Sequence, residues 1–103
     1  MAENKTCLRE DDIEELLARM ATTIGLRLSK VPETARCAAY WRFVKDFAGQ
    51  ERSITLAYFS PQKLLDVLLT HKTALIDYGE MMKNPFYGMT LDELKVKLDL
   101  LDV

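Results

Sequence analysis

Apolar side chains recur along the chain at the spacing expected of amphipathic helices. The clearest row has members at i, i+3, i+4, i+7, i+8 and i+11, namely Ile13, Leu16, Leu17, Met20, Ala21 and Ile24. Asp11 stands three residues before Glu14, at the end of a helix where the dipole favours acidic side chains. Gly25 follows the last apolar position and ends or weakens the helix. The pattern therefore predicts a first helix over roughly residues 11–24.

A second apolar row follows Pro32 and predicts a second helix. Its members again have helical spacing and include the single tryptophan of the chain: Cys37, Tyr40, Trp41, Val44, Phe47 and Ala48. Gly49 comes directly after the row, where glycine commonly ends a helix. Residues 26–32 are expected to form a connector, because the residue before a proline is disfavoured in helical geometry. We therefore expect a helix over about residues 33–48, with Trp41 anchoring the core.

The longest apolar row predicts a third helix that begins at Ser60 and ends at Asn84-Pro85. Ser60 suits the N-cap and Pro61 the first helical position, where the missing N–H has no effect. The row advances by alternating steps of four and three residues: Leu64, Leu68, His71, Leu75, Tyr78 and Met82. Because this alternation is typical of a coiled-coil seam, the same six residues are the candidate protein interface, either inside a bundle or between subunits.

Two shorter stretches complete the predicted fold. Residues 90–93 spell a capping box, Thr-Leu-Asp-Glu, and leucines at helical spacing continue it into a last helix. Residues 50–59 alternate like a short strand, but a lone strand would have no partner in such a chain, so a helix or an extended linker is favoured there. The overall prediction is an all-α fold, a three- or four-helix irregular or antiparallel bundle in one helical domain over residues 1–103. A short extended segment near residues 52–59 is the remaining option.

Composition and charge narrow the class of protein. The chain has 103 residues, of which 49% are hydrophobic and 29% charged, enough apolar material for one domain with a real core. The net charge is −2, yet residues 19–63 carry eight bases and three acids, a net of +5. This asymmetry permits an anionic partner, although acidic ends packing near a basic centre are commoner. No apolar run approaches the ~18–20 residues of a membrane span, and we expect neither a membrane span nor a secretion signal.

Residues with catalytic or metal-binding chemistry are sparse. The chain has one histidine, His71, which is flanked by leucines at helical spacing rather than by a carboxylate. Ser60-x-x-Lys63 matches the first motif of serine acyl-enzymes, but a helix cap explains the same residues. The cysteines stand thirty residues apart, which predicts free thiols in a reducing cytoplasm, with one disulfide as the alternative. We expect no enzyme activity, no cofactor and no metal site.

Residues 20–42 carry a weak resemblance to a helix-turn-helix. Gly25 would form the turn, and apolar residues on either side of it would join the two helices. Four bases would then lie near the DNA backbone or groove: Arg27, Lys30, Arg36 and Arg42. Against this interpretation, Pro32 falls early in the recognition helix and the chain as a whole is acidic.

The favoured function is therefore a small, non-enzymatic cytoplasmic interaction or regulatory protein that binds another protein, with a homodimer as one option. This function is favoured mainly by elimination, because the chain has few residues in recognisable catalytic patterns. The alternative is a helix-turn-helix-like DNA-binding regulator that uses residues 20–42. The salt dependence of binding distinguishes these two hypotheses. Binding to DNA weakens steeply as the salt concentration rises, whereas apolar association with a protein does not.

Overall fold

The structure is a computed structural model that describes residues 9–101, and it mixes helices with β-sheet. The all-α prediction is therefore wrong. The elements in chain order are α1 (Glu10–Thr23), β1 (Arg27–Val31), β2 (Tyr40–Phe47), β3 (Gln50–Ser53), α2 (Pro61–Thr70), β4 (Ile76–Asp77), β5 (Glu80–Met81) and α3 (Leu91–Leu101). Strands β1, β2 and β3 form one antiparallel sheet, and β4 with β5 forms a separate hairpin.

The three-stranded sheet has β2 at its centre. Ser29 of β1 lies opposite Arg42 of β2, and Ser53 of β3 lies opposite Val44. An isolated bridge between Trp41 and Tyr58 extends the pairing beyond β3. Opposite residues of neighbouring strands share a face of the sheet, so the register sorts the side chains into two sets.

One face of the sheet packs against the helices and forms the core. β2 contributes Trp41 and Phe43 to this core, and the latter is fully buried. Helices α1, α2 and α3 cover the same core with apolar side chains, joined by two residues from the connecting segments: Leu17, Met20, Leu64, Leu68, Leu94, Leu98, Leu75 and Phe86. All of the long elements therefore share one buried cluster.

The second predicted helix, over residues 33–48, is wrong, because residues 40–47 form the central strand. The same residues satisfy a two-residue period, with Trp41 and Phe43 on one face and Val44 on the other. Aromatic and β-branched side chains favour this extended conformation. Gly49 does not end a helix: Ala48 and Gly49 have φ values of 54° and 80°, which is the geometry of a two-residue hairpin turn.

The third predicted helix is correct at its start and wrong in its length. Ser60 accepts a hydrogen bond from the Lys63 N–H at 3.1 Å, and Pro61 follows as the first helical residue, as expected. The helix ends at Thr70 rather than near residue 83. A hairpin follows, and its turn residues Tyr78 and Gly79 have φ values of 54° and 80°.

Tertiary hydrogen bonds explain why α2 stops where it does. The last carbonyls of a helix have no partner within the helix and must be satisfied from outside it. The Asn84 side chain donates to the carbonyls of Leu68 and His71 at 2.9 and 3.0 Å, and the Gly88 N–H donates to Leu69 at 2.8 Å. The downstream loop thus supplies the donors that close the helix.

The first and last helices confirm the sequence-based prediction within one or two residues. In α3 the capping box is present, because Thr90 Oγ1 accepts the Glu93 N–H at 3.1 Å and Glu93 Oε1 accepts the Thr90 N–H at 2.9 Å. In α1 the helix begins at Glu10, one residue earlier than expected. The predicted acidic cap is wrong, because Asp11 lies inside the helix and the N-cap residue Arg9 makes no side-chain capping bond. Glu14 Oε2 accepts a hydrogen bond from the Trp41 indole N–H of the sheet. No helix within residues 9–101 is long and apolar enough to cross a lipid bilayer.

The interpretation of residues 50–59 is also corrected. Residues 50–53 are a strand paired with β2, so the objection that a strand would lack a partner was wrong. The optional extended segment near residues 52–59 agrees with the structure in part, since Ser53 ends the strand and Tyr58 forms the bridge.

Candidate functional site

The predicted interface row does not form one face of the molecule. Leu64, Leu68 and Leu75 are fully buried in the core, where no partner can touch them. Met82 is half-buried, and His71 is exposed just beyond the end of α2. Tyr78 is 79% exposed at the tip of the second hairpin. Burial therefore assigns three of the six residues to folding and leaves His71 and Tyr78 accessible.

His71 lines a groove on the surface. The groove lies between residues 53–58, which follow β3, and the end of α2 together with residues 73–76. Its cavity volume is about 470 Å³, within the range of sites that hold small molecules or single side chains of a partner. The apolar lining comes from Ile54, Leu56, Tyr58, Val67, Ala74 and Ile76.

A bulge in the strand shapes one wall of the groove. The N–H groups of Ile54 and Thr55 both point at the Phe43 carbonyl, at 2.9 and 3.4 Å, which is the mark of a bulged pair. Thr55 Oγ1 accepts the Phe43 N–H at 3.0 Å and so replaces the missing backbone partner. Tyr58 and Trp41 then exchange two backbone hydrogen bonds of 2.9 and 2.8 Å. Residues 54–58 are thereby fixed to the sheet at both ends.

A large apolar side chain directly after the bulge is exposed to water. Leu56 is 74% exposed although it belongs to a segment held firmly at both ends. Across the groove, Ile76 is 41% exposed, and its neighbour across the hairpin, Met81, is 55% exposed. Adjacent exposed apolar side chains on a rigid frame are typical of an interaction surface, whereas single ones are ordinary.

An ion pair holds the hairpin that forms the other wall. Arg52 donates to both carboxylate oxygens of Asp77, at 2.7 Å from Nε and 3.1 Å from Nη2. Its guanidinium also lies against the exposed rings of Tyr78 and Phe47, 4.1 and 5.3 Å from the ring centres. One backbone bond joins the same elements, from the Ile76 N–H to the Ile54 carbonyl at 3.0 Å. Sheet and hairpin are thus joined beside the groove.

The charges of this anchor perturb each other in the expected direction. Hydrogen bonds from Arg52, assisted by its charge and by that of Lys45, hold the pKa of the Asp77 carboxyl below its usual value. The hydrogen bond to Asp77 raises the pKa of the Arg52 guanidinium. The pair therefore stays ionised at neutral pH.

Three of the four bases predicted to contact DNA are ion-paired within the chain. Arg27 donates to both oxygens of Asp46 at 3.0 Å and to Glu51 at 2.7 Å, and Arg42 donates to Glu51 at 2.6 Å. These four side chains lie on the sheet face that the helices leave open, above the buried Val44. Hydrogen bonds from Arg27 lower the pKa of the Asp46 carboxyl, and those bonds raise the pKa of Arg27 itself.

Lys30 lies opposite Trp41, on the other face of the sheet from Arg27 and Arg42. Lys30 contacts Glu14 of α1 at 3.1 Å and lies 5.4 Å from the centre of the Trp41 ring. Arg36 is exposed in the loop that joins β1 to β2. Arg27, Lys30 and Arg42 consequently do not form one recognition surface.

The helix-turn-helix interpretation fails on geometry. Residues 27–31 form a strand, so the helix that would enter the DNA groove does not exist at that position. The first helix and the turn at Gly25, with φ of 78°, are present, but they lead into a sheet. DNA binding stays an untested prediction, but the helix-turn-helix on which it depended is not formed by residues 20–42.

A second cavity lies between α1 and α3. It measures about 320 Å³, and charged side chains dominate its lining: Asp12, Glu15, Arg19, Lys95 and Asp99. Arg19 donates to Asp99 at 3.3 Å across it. Among residues 9–99, no group of three histidine, cysteine or acidic side chains is placed to hold a metal ion. The charged side chains that line this cavity belong to the contact between α1 and α3.

Residues 54–58 and 78–79 carry partial sequence signals of the groove walls. Tyr78-Gly79 has the glycine that a two-residue hairpin turn requires at its second position, inside a row interpreted as helix. Residues 54–58 do alternate in polarity, as a strand does. Neither signal predicts the bulge, because the bulge depends on a threonine side chain that accepts a hydrogen bond from a backbone N–H of another strand.

Comparisons with protein families, with curated proteins and with solved structures find no match to this chain.

Proposed function

We propose that this chain is a non-enzymatic, cytoplasmic protein-binding domain, and that the groove beside Leu56 is its contact site. The observation that carries the proposal is the exposure of Leu56 and Ile76 on opposite walls of a preformed groove. Burying such side chains against a partner is favourable by roughly 1.5–3 kcal/mol for each one fully covered. Cys37 is exposed and Cys7 lies outside the described residues, so both the free thiols expected in a reducing cytoplasm and the alternative disulfide stay predictions.

The proposed occupant is a short segment of another protein that inserts one large aliphatic or aromatic side chain. The groove volume of about 470 Å³ accommodates a side chain with part of its backbone. Lys72 is exposed between two residues that line the groove, His71 and Thr73, while the charge of Asp77 is already neutralised by Arg52. The rim beside α2 is therefore cationic, which favours acidic residues next to the inserted side chain.

A displayed library of random ten-residue peptides tests the proposal directly. Peptides are selected on the native chain alone and then synthesised for titration calorimetry. We expect selected peptides to share one large apolar residue with acidic neighbours. Their affinity should fall by about tenfold or more with Leu56→Asp and with Ile76→Asp, because a buried contact becomes a desolvated charge.

Val96→Asp is the matched control for this experiment. Val96 is 59% exposed on α3 and does not line the groove. Peptide affinity should stay within about twofold in this variant, and Lys72→Glu should weaken acidic peptides without affecting neutral ones. Selected peptides that bind Leu56→Asp as tightly as the native chain would refute the proposed site.

A further inference from the structure

β1 is an edge strand of the three-stranded sheet. The strand order places β1 beside β2 alone, and within residues 9–101 no other strand pairs with it. An unpaired edge presents backbone N–H and C=O groups that can accept a further strand. The number and position of those groups decide what can bind there.

The hydrogen bonds of β2 show which backbone groups of β1 face outward. Trp41 exchanges both of its backbone bonds with Tyr58, and the Phe43 carbonyl accepts the Ile54 N–H, so these two residues point away from β1. In an antiparallel ladder the alternate residues must then bond to β1, and they lie opposite Arg27, Ser29 and Val31. The N–H and C=O groups of Leu28 and Lys30 consequently point outward.

Charged side chains usually protect an edge strand from pairing, but those of β1 are neutralised by ion pairs within the chain. Lysine and arginine on an edge normally repel a second strand. In β1, however, Arg27 is bound to Asp46 and Glu51, and Lys30 is bound to Glu14. The outer edge therefore offers hydrogen-bonding groups without a net repulsive charge.

We propose that two copies of this chain pair through β1, antiparallel about a two-fold axis at Ser29. This register sets Leu28 opposite Lys30 of the second copy, and both residues have outward N–H and C=O groups. Four hydrogen bonds then join the copies. Arg27 faces Val31 of the second copy, so no base lies opposite another base. Pro32, which lacks an N–H, ends the ladder on each side.

The dimer is a six-stranded sheet with β3 at each outer end. The groove proposed as the protein-binding site lies beyond β3, on the far side of the sheet from the β1 edge. A dimer would therefore carry two separate grooves and bind a partner with two suitable segments more tightly than a single chain does. The pairing itself does not depend on the groove.

Amide hydrogen exchange of the unmodified chain is the first test. The amides of Leu28 and Lys30 should exchange rapidly in dilute solution, and at about a hundredfold higher concentration they should slow by about tenfold or more. Sedimentation equilibrium over the same range should show a weak dimer. A chain that remains monomeric, with both amides exchanging at the same rate throughout, would overturn the proposal.

A matched pair of variants separates the backbone from the side chain. Lys30→Pro removes one outward N–H and no bond to β2, and it should abolish the dimer. Lys30→Ala loses the same contacts to Glu14 and Trp41 but keeps the N–H, and it should still dimerise. Equal dimerisation of the two variants would contradict the proposed ladder. Groove-binding peptides titrated into Lys30→Pro should retain their affinity per chain, so failure of one proposal is distinguishable from failure of the other.

Discussion

The molecule contains two hairpins that have the same turn and very different surroundings. Ala48-Gly49 joins β2 to β3, Tyr78-Gly79 joins β4 to β5, and both turns have φ values of 54° and 80°. β2 has eight residues, two of them aromatic and buried in the core, whereas β4 and β5 have two residues each. The turn geometry is local, but two-residue strands are not stable by themselves.

The difference between the hairpins shows what holds each one in place. The first hairpin is part of the core, because Trp41 and Phe43 pack beneath the helices. The second hairpin is held by the Arg52–Asp77 pair, by a backbone bond to Ile54 and by the burial of Leu75 before it. Its outer residues Ile76 and Met81 are exposed, which makes it available for binding.

Truncating the core side of the first hairpin should have the largest effect. We expect Phe43→Ala to lower the free energy of unfolding by about 3–5 kcal/mol, because it leaves a cavity at a fully buried position. Met81→Ala in the second hairpin should change it by no more than about 0.5 kcal/mol. Urea titration followed by tryptophan fluorescence measures both. Similar losses in the two variants would mean that the second hairpin belongs to the core.

Removing the anchor of the second hairpin should release it without unfolding the sheet. In Arg52→Ala the amide of Ile76, which bonds to Ile54, should exchange about tenfold faster or more, since the hairpin opens locally. The amides bonded between β1 and β2 should keep their native exchange rates. Lys45→Ala is the control, because Lys45 contacts Asp77 at the longer distance of 3.6 Å. Unchanged exchange at Ile76 in Arg52→Ala would show that the ion pair is not the anchor.

Glycine replacement at the two turns should separate global from local stability. Both glycines have φ near +80° with open space around them, so an alanine there is strained but not blocked. Gly49→Ala should lower the free energy of global unfolding by about 1 kcal/mol. Gly79→Ala should instead increase hydrogen exchange in the second hairpin and leave the urea midpoint close to native. A larger shift of the urea midpoint in Gly79→Ala than in Gly49→Ala would mean that the second turn, and not the first, limits global stability.

Acid should loosen the second hairpin gradually. The pKa of Asp77 is lower in the folded chain than in the unfolded chain, so its stabilising effect is complete well above about pH 4. That effect is lost as the pH falls through the depressed pKa of the folded state. NMR signals of Tyr78 and Gly79 should shift in this acid range, and Asp77→Asn should abolish the shift. Asp46→Asn removes the other carboxyl whose pKa is lowered. In this variant the acid shift of the Tyr78 and Gly79 signals should be the same as in the native chain.

Part of the fold could be predicted from local sequence, and the candidate site mostly could not. The apolar row of α1, the Ser60-Pro61 start of α2 and the Thr90–Glu93 capping box are local signals, and all three predicted helix positions within one or two residues. The row from Cys37 to Ala48 fits helical and strand spacing alike. Only pairing with neighbouring strands decides between the two conformations.

By itself, then, the sequence determined which side chains are apolar, where three helices begin, and that a core would form. Tertiary structure alone decided that α2 ends at Thr70, where Asn84 takes over the free carbonyls, and that Thr55 completes a bulge and exposes Leu56. The physical reason is the range of the interactions. Caps and helical periodicity act within a few residues, whereas the bond of Thr55 to Phe43 in the bulge and the bond of Asn84 to Leu68 join residues 12 and 16 positions apart, which local pattern does not show.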